Sequence, residues 1–198
     1  MSNIQSKNLQ KLYFECICEL KDIGIDALND KCVGSIDIKL SRKNALRYGC
    51  CKQENPDEDS KYIEKTRKRR IIKYGKFKEH HIEISPWVMD LDEKIIKNTI
   101  MHEIIHCFPY CNNHGSVFKK YMTYINEQLG YNISRLGNKK EDYAKSNIQY
   151  SEKETYKYKI ECQKCGQVFY RKRYNKNLER KYRCGICRGK FKIILLDS

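Results

Sequence analysis

Apolar residues recur at helical spacing in some segments of the chain and alternate with polar residues in others. Residues 4–20 carry apolar side chains at helical spacing and predict an amphipathic helix. Residues 33–51 predict two short strands, and residues 80–84 predict another strand, which Pro86 ends. This mixture predicts an α+β protein with helices packed on a short antiparallel sheet.

Two further helices follow the strand at 80–84. The first should begin at Asp90 or Asp92 and run to about Cys107, because an aspartate side chain can accept hydrogen bonds from the free amides of a first helical turn. The second can be capped by Ser116 and keeps its apolar residues on one face. It should stop at Gly130, because glycine tolerates the left-handed backbone that ends many helices.

The segments between these elements are polar. Residues 52–60 have the composition of a loop. Residues 61–78 contain nine basic residues and one acidic residue, and they predict a basic loop or hairpin. Residues 132–152 have only a weak pattern, and we interpret them as a connector.

The chain carries a formal charge of +15, from 40 basic and 25 acidic residues. Such an excess indicates a polyanionic partner, nucleic acid before an anionic membrane surface, unless the lysines serve only solubility. The N-terminus has no apolar signal segment, and the longest strongly apolar run, residues 193–196, is far short of a membrane span. Together with a composition rich in lysine, isoleucine and asparagine, the lack of a signal segment leads us to expect a bacterial cytoplasmic protein that could associate with the nucleoid.

Residues 102–106 read His-Glu-Ile-Ile-His and lie within a predicted helix. Side chains four positions apart lie one above the other on a helix, so His102 and His106 can reach one ion. Zinc lowers the pKa of a bound water, and Glu103 can accept the proton of that water as a general base. The motif therefore predicts a catalytic zinc site.

A catalytic zinc usually has three protein ligands and one open position. His114 follows His106 after a break at Pro109, so the chain could turn and bring this imidazole back to the metal. Glu127 is the alternative, but it lies nine residues from Phe118, about 180° around the helix, and should point away from the core. We therefore favour His114 as the third ligand.

Several other residues near this motif have open roles. We interpret the thiols beside the motif, Cys107 and Cys111, as packing residues. We interpret the two remaining histidines, His80 and His81, as ordinary strand residues. All four side chains could instead bind metal. The group that stabilises the transition state is unassigned, and the tyrosines nearest in the sequence are Tyr110, Tyr121 and Tyr124.

Four of the 11 cysteines form two C-x2-C pairs, Cys162 with Cys165 and Cys184 with Cys187, separated by 18 residues. Each pair can supply two thiolates from one tight turn, and two such turns complete a tetrahedron around zinc. A site with four thiolates has no open position. The spacing therefore predicts a zinc ribbon whose metal is structural.

Basic and aromatic residues surround these cysteines, with 14 lysines and arginines and three glutamates in residues 153–192. Cations can follow phosphates while aromatic rings stack on exposed bases, although the same rings could simply form the small core of the ribbon. The residues that we expect at nucleic acid come from this region and from the basic segment 61–78: Arg67, Lys68, Arg69, Arg70, Tyr170, Arg171, Lys172, Arg173 and Tyr174.

Four segments together resemble the SprT-like, Spartan-related zinc metallopeptidase family: HIEISPWVMD (81–90), IMHEIIH (100–106), NHGSVFKKYMTYIN (113–126) and the C-terminal region with the four cysteines. The resemblance implies a small zincin-like domain with an attached zinc ribbon. It also implies that His102, His106 and His114 hold zinc and that Glu103 is catalytic. Better-known members of the family are linked to proteolysis of proteins crosslinked to DNA.

We therefore predict a zincin-like catalytic domain over residues 1–135, a connector over 136–153 and a zinc ribbon over 154–198. The expected cofactors are one catalytic and one structural Zn2+. The predicted function is that of a zinc-dependent endopeptidase acting on DNA-associated or DNA-crosslinked proteins. Single-stranded or mixed DNA is the expected partner, with no membrane partner and a monomeric state.

Two other functions remain open at this point. A non-proteolytic, nucleic-acid-binding zinc protein is the main alternative, and a fourth protein ligand on the first zinc would favour it. A zinc hydrolase of a small molecule is the second alternative, and a closed pocket would favour it. A long groove beside an edge strand near residues 82–84 would instead favour a peptide substrate, which could add there as a strand.

Overall fold

The computed structural model describes residues 2–28, 33–42, 46–65, 69–150, 156–174 and 177–196. The chain divides into two compact units, Met1–Tyr150 and Ser151–Ser198. Within the described residues, helices and short sheets occur together. The predicted α+β class is therefore confirmed.

The first unit begins with the predicted amphipathic helix, α1 (Ser2–Asp22). Its apolar stripe lies in the core, because Leu9, Leu12, Cys16 and Leu20 are each at most 1% exposed. Helical spacing places these side chains on one face, and the contact of that face with the sheet and the next helix removes them from water.

The strands of the first unit, in chain order, are β1 (Ser35–Leu40), β2 (Gly49–Pro56), β3 (Lys61–Lys65), β4 (Arg70–Tyr74) and β5 (Phe77–Ile84). Its main sheet has the order β1–β5–β2, in which β5 pairs in parallel with β1 and antiparallel with β2. The sheet is therefore mixed and not purely antiparallel. Strands β3 and β4 form an antiparallel hairpin, which is one of the two alternatives, loop or hairpin, predicted for the basic segment 61–78.

Two further sequence predictions about this sheet were wrong. Residues 52–56 belong to β2 and not to a loop, because polar residues suit the outer face of a strand that pairs by its backbone. Residues 82–84 do not lie at an edge, because β5 pairs on both sides and β2 is an edge strand among those described. The alternation in β5 was read correctly, since His80, Ile82 and Ile84 face the core and are at most 1% exposed.

Three helices follow the sheet: α2 (Glu93–Ile105), α3 (Ser116–Leu129) and α4 (Lys139–Lys145). Asp92, one of the two predicted caps, accepts a hydrogen bond from the Lys94 amide at 2.9 Å. Helix α3 has Gly115 at its N-cap, one residue before the predicted Ser116. It ends at Gly130 with φ of 66°, the left-handed conformation that the sequence predicted.

The segment predicted as a connector over 136–153 contains α4, and the first unit continues to Tyr150. The ring of Tyr143 stacks on Trp87 at 5.9 Å, and the Asp92 amide donates a hydrogen bond to the Ser146 hydroxyl at 2.8 Å. A helix of seven residues has only two turns, so its contact face leaves almost no periodic signal.

The second unit contains β6 (Tyr158–Cys162), β7 (Val168–Arg171), α5 (Leu178–Lys181) and β8 (Phe191–Leu195). Its strands form an antiparallel sheet in the order β7–β6–β8. Ile160 is fully buried, and the rings of Phe169 and Phe191 meet edge to face at 5.5 Å. Among its described residues, the buried hydrophobic side chains are Ile160, Cys162 and Cys184, so the core of this unit is small.

Candidate active site and metal centres

Helix α2 and the loop after it bring three histidines together. His102 and His106 lie on α2 and at its end, four residues apart, with ring centroids separated by 5.0 Å. The ring of His114 lies 5.0 Å from that of His102 and 4.8 Å from that of His106. The Nε2 or Nδ1 ligand atoms of the three rings all lie within 4.8 Å of one another. The chain thus turns back at the loop in the way that the sequence suggested for His114.

The three histidines pack against Phe118, a fully buried residue of α3. Its ring centroid lies 5.0 Å from that of His102, 4.7 Å from that of His106 and 4.8 Å from that of His114. Helical spacing predicts that Phe118 lies on the core face of its helix, but not that its ring contacts the histidines. One aromatic ring therefore packs against all three imidazoles and limits their rotation.

Hydrogen bonds select the tautomer of two of these rings. Nδ1 of His102 lies 3.0 Å from the carbonyl oxygen of Ser134, and Nδ1 of His106 lies 2.6 Å from that of Cys111. A carbonyl oxygen can only accept, so each Nδ1 must carry the proton. The unprotonated Nε2 atoms are therefore available to a metal, in the arrangement that usually orients histidine ligands.

The donor set fits a zinc ion. Nε2 of His102 and Nε2 of His114 lie 3.0 Å apart. Two unprotonated nitrogens at this distance repel each other unless a cation or a proton lies between them. Among the described residues the group consists of three imidazoles and no fourth ligand, which matches the composition of catalytic zinc sites that keep one position open.

The environment keeps these rings neutral, which is the form that binds metal. Burial lowers the pKa of His102 to about 4, and the neighbouring His106 and His114 add to the shift. Burial is also the main cause that lowers the pKa of His106 and of His114.

We expect acid to weaken the metal-free fold through His102. Its pKa in the unfolded chain is about 6.5, above the folded value of about 4, so the unfolded chain binds the extra proton between these values. The free energy of unfolding should therefore fall as the pH decreases from about 6.5 to 4. Glu103 has a raised pKa and acts in the opposite direction.

The contribution of His102 is measured as the difference in stability between the parent and a variant that lacks this imidazole. Thermal unfolding of the metal-free protein is compared with that of His102→Gln at several pH values from about 7 to 4.5. The stability of the parent relative to the variant should decline as the pH falls. A pH-independent difference would contradict the assigned shift.

Glu103 is buried beside the cluster and is 6% exposed. Its carboxylate lies against β2, where the backbone amide of Cys51 donates a hydrogen bond to it. Burial raises the pKa of Glu103 to about 8, against the opposing effects of Arg47 and of the Cys51 hydrogen bond. A carboxyl with this pKa can both accept and return a proton near neutral pH.

Gly49 makes room for that carboxylate. A Cβ atom at position 49 would lie 2.9 Å from both Cγ and Oε1 of Glu103, closer than real Cβ contacts. Gly49 and Cys51 could not be predicted as site residues from the sequence, because their contact with Glu103 joins elements far apart in the chain. No local pattern around Gly49 could have revealed it.

The alternative ligands lie elsewhere. Glu127 is exposed and does not belong to the histidine cluster among the described residues. The sulfur of Cys107 lies 3.6 Å from that of Cys51, and Cys111 contributes its carbonyl oxygen to His106 while its thiol stays outside the cluster. His80 is buried on the core side of β5.

His81 lies on the outer face of β5, where it forms a separate, partly exposed group with Glu54 and Glu79 whose ligand atoms lie within 4.8 Å of one another. Asp37 lies near the same ring, 3.6 Å from Nδ1 of His81. His81 therefore takes no part in the three-histidine cluster.

The three tyrosines considered for the transition state make other contacts. Tyr110 packs against Gly75 and lies 6.1 Å from the ring of Tyr62. Tyr121 lies 4.6 Å from the ring of Phe108, and the hydroxyl of Tyr124 donates to the carbonyl oxygen of Ile23 at 3.0 Å. None of the three tyrosines lines the groove at the histidines.

A groove of about 870 Å³ opens beside His102, Glu103 and His114. One part of its wall is formed by residues 46–49, which lead into edge strand β2. Another part is formed by residues 134–139. This segment begins with Ser134, whose carbonyl oxygen accepts the hydrogen bond from His102. Candidate ligands and the buried carboxyl therefore share one solvent-accessible site.

The second unit brings the four predicted cysteines together. The ligand atoms of Cys162, Cys165, Cys184 and Cys187 all lie within 4.8 Å of one another. Backbone amides of Cys165 and Lys164 lower the pKa of Cys162 to about 6, which favours the thiolate that zinc binds. The residues present thus fit a closed, four-thiolate zinc site.

Gly189 allows the sulfur atoms of this unit to approach each other. A Cβ atom at position 189 would lie 2.8 Å from the sulfur of Cys162 and 3.2 Å from that of Cys187. No local pattern in the sequence indicates this role of Gly189. Again the contact joins parts of the chain that local spacing does not connect.

Most of the residues predicted at nucleic acid lie at the surface. Tyr170 is 46% exposed and Tyr174 is 38% exposed, and the cations between them are exposed as well: Arg171, Lys172 and Arg173. Arg69 and Arg70 are exposed on the hairpin, at the start of β4. Arg67 and Lys68 lie outside the described residues. The structure leaves the role of this whole set a prediction.

Within the described ranges, no helix has both the length and the apolar character that crossing a membrane requires.

These features define an α+β protein whose described residues include a group of three histidines beside a buried glutamate and a group of four cysteines, each of which could hold a metal ion. The family model described as SprT-like matches residues 22–137, which is more than half of the chain. The chain therefore belongs to the SprT-like family. The match ends within the first unit and does not include the four-cysteine unit.

Two curated relatives agree with this assignment, and both are described as "Protein SprT-like". The one from Lactiplantibacillus plantarum is 30% identical over 116 residues, which cover 58% of this chain and 71% of the relative. The one from Lactococcus lactis subsp. lactis is 32% identical over 120 residues, which cover 59% of this chain and 69% of the relative.

Proposed function

We propose that the protein is a zincin-like, zinc-dependent endopeptidase. In this proposal His102, His106 and His114 hold the metal and Glu103 is the general base. The observation that carries it is the convergence of three neutral imidazoles beside one buried carboxyl in a groove open to solvent. Membership of the SprT-like family supports the same reading.

Each part of the site has a separate task. A zinc ion held there supplies Lewis acidity, which polarises a peptide carbonyl and makes water more acidic. Glu103, whose pKa is raised to about 8, takes the proton from the attacking water and returns it to the leaving amine. The Cys51 amide and the space at Gly49 hold this carboxyl in place.

The number of ligands supports catalysis over a structural metal. The histidine cluster found among the described residues contains no fourth ligand, and both Cys107 and Cys111 lie outside it. A purely structural zinc usually has four protein ligands. The buried carboxyl next to the cluster has no purpose in a structural site.

The shape of the site supports a peptide over a small molecule. The groove contains highly exposed residues and runs beside residues 46–49, at the start of edge strand β2. An extended peptide could add to this backbone as a further strand. The strand involved would be β2 and not the predicted strand at 82–84.

Gly49→Ala should impair catalysis without removing the metal. The added Cβ would meet Cγ and Oε1 of Glu103 at 2.9 Å, so the carboxyl must move, whereas the histidines are untouched. We expect turnover to fall by about tenfold or more at unchanged zinc content, because small displacements of catalytic groups are costly. Gly185→Ala, which adds a Cβ in open space, is the control. Unchanged turnover in Gly49→Ala would contradict the proposed position of Glu103.

We further propose that the substrates are proteins bound or crosslinked to DNA. The net charge of +15 and the exposed cations of the β3–β4 hairpin and of the four-cysteine unit support a nucleic-acid partner. Tyr170 and Tyr174 are exposed among these cations and could stack on unpaired bases.

Arg171→Gln combined with Arg173→Gln should weaken DNA binding and reduce its dependence on salt. Each lost phosphate contact lowers the slope of log affinity against log salt by about 0.7 to 0.9. The measurement is a salt titration of binding to single- and double-stranded DNA. Lys11→Gln combined with Lys119→Gln removes the same charge from two helices and is the control. Equal effects of the two pairs would mean that only net charge matters.

The function is tested by incubating the zinc-loaded protein with a basic protein, with and without DNA and with and without a zinc chelator. We expect cleavage fragments that the chelator abolishes and that DNA increases. Chelator-resistant cleavage would refute the role of zinc. Chelator-sensitive cleavage that DNA leaves unchanged would refute the DNA-associated substrate and retain the peptidase.

A further inference from the structure

Two of the most exposed large hydrophobic side chains lie in the groove of the candidate active site. Leu46 is 89% exposed and Leu136 is 78% exposed, and both line the groove together with His102 and Glu103. A single exposed leucine is ordinary on a protein surface. Two that come from distant parts of the chain and line one groove indicate a surface that binds an apolar group.

The backbone on both sides of this pair is held in place. The hydroxyl of Ser134 donates to the carbonyl oxygen of Leu136 at 2.9 Å, and the carbonyl of Ser134 itself accepts from His102. Next to Leu46, the carbonyl oxygen of Arg47 accepts from the hydroxyl of Ser85 at 2.7 Å. Hydrogen bonds thus fix the backbone next to each leucine, and on the Leu136 side one of these bonds involves the candidate ligand His102.

One aromatic ring joins the two segments. Gly137 follows Leu136 and packs on Tyr48, where a Cβ atom would lie 2.4 Å from the ring. Tyr48 is two residues from Leu46 and lines the same groove. Residues 46–48 and 136–137 are therefore neighbours and form one continuous wall.

We propose that Leu46 and Leu136 form an apolar subsite that selects a large apolar side chain of the substrate, near the bond to be cleaved. This rests on the proposed endopeptidase function. The occupant is an extended polypeptide segment that carries leucine, phenylalanine or methionine. Folded proteins bury such side chains, so the site favours segments that are locally unfolded.

The subsite is tested by binding, with turnover suppressed. Zinc-loaded Glu103→Gln protein is titrated with two labelled, unstructured peptides that differ only by leucine or serine at their central positions, and fluorescence anisotropy is measured. We expect the leucine peptide to bind about tenfold more tightly. In this background Leu46→Ser and Leu136→Ser should each reduce that preference about threefold.

Two variants serve as controls. Ile4→Ser removes a side chain that is 80% exposed and lies outside the groove, so it should keep the full preference. Leu136→Met preserves the apolar surface and should also keep it. An equal affinity of the parent for both peptides, or a preference that survives both leucine-to-serine changes, would overturn the subsite.

The peptidase proposal is judged separately, with the protein that retains Glu103 and the same two peptides. Cleavage of both peptides at equal rates, together with equal binding, would refute the subsite and keep the endopeptidase. Preferential binding of the leucine peptide without cleavage of either peptide would keep the subsite and refute the endopeptidase.

Discussion

Glu103→Gln should retain zinc and lose about a thousandfold in turnover, which is within the range expected for removal of a general base. Glutamine has nearly the shape of glutamate, so it fits the space beside Gly49 and can still accept the hydrogen bond from the Cys51 amide. It cannot accept a proton from water. The measurement is the turnover of a protein substrate, together with the zinc content of the purified variant.

The same variant should unfold at a higher temperature than the parent when both are metal-free and near or above pH 8. The pKa of Glu103 is about 4.5 in the unfolded chain, and burial raises it to about 8 in the folded protein. The unfolded chain therefore gives up this proton first, and the parent loses stability as the pH rises from about 4.5 to 8, whereas the neutral amide is unaffected. Glu127→Gln changes an exposed carboxylate on α3 and is the control for both measurements. Cleavage by Glu103→Gln at the parent rate would refute the assigned base.

Cys184→Ser should unfold the second unit and leave the three-histidine site intact. The small unit buries few side chains, and bound zinc contributes about 10–16 kcal/mol to the folding of small zinc domains. We expect the variant to lose one zinc per chain and to lose hydrogen-exchange protection in the described residues 156–174 and 177–196. Protection in α2 should persist.

This variant also separates the two metals by function. Cleavage of an unstructured peptide should remain, because the proposed ligands of the catalytic zinc all lie in the first unit, while affinity for DNA should fall. Cys18→Ser alters an exposed cysteine of α1 and is the matched control. If Cys184→Ser keeps full exchange protection after it loses zinc, the metal is not structural.

The features predicted well from the sequence depend on neighbours along the chain. The apolar stripe of α1, the alternation of β5 before Pro86 and the left-handed stop at Gly130 each follow from spacing or from the conformation of one residue. The predictions of secondary structure were wrong where pairing between strands outweighs the local amino-acid composition. The polar residues 52–56 form part of a strand because β5 supplies their hydrogen-bond partners.

The candidate metal centres show the same difference between local features, which were predicted, and long-range contacts, which were not. His102 and His106 lie four residues apart on one helix, and each C-x2-C pair lies on one turn, so spacing is sufficient to propose them. Helical phase was enough to favour His114 over Glu127 as the third ligand. The ring contact with Phe118 and the hydrogen bond to the carbonyl of Ser134 were not predicted, because they form only when α3 and the loop after it pack against α2.

The amino-acid sequence alone determines which chemistry is available here: the imidazoles, the carboxyl, the thiolates and the excess of positive charge are present in recognisable local patterns. Only the tertiary structure decides the tautomers of His102 and His106, the burial that raises the pKa of Glu103, and the groove that Leu46 and Leu136 both line. Ligand spacing is a property of one helix or one turn. Desolvation and groove shape arise only when distant segments pack together.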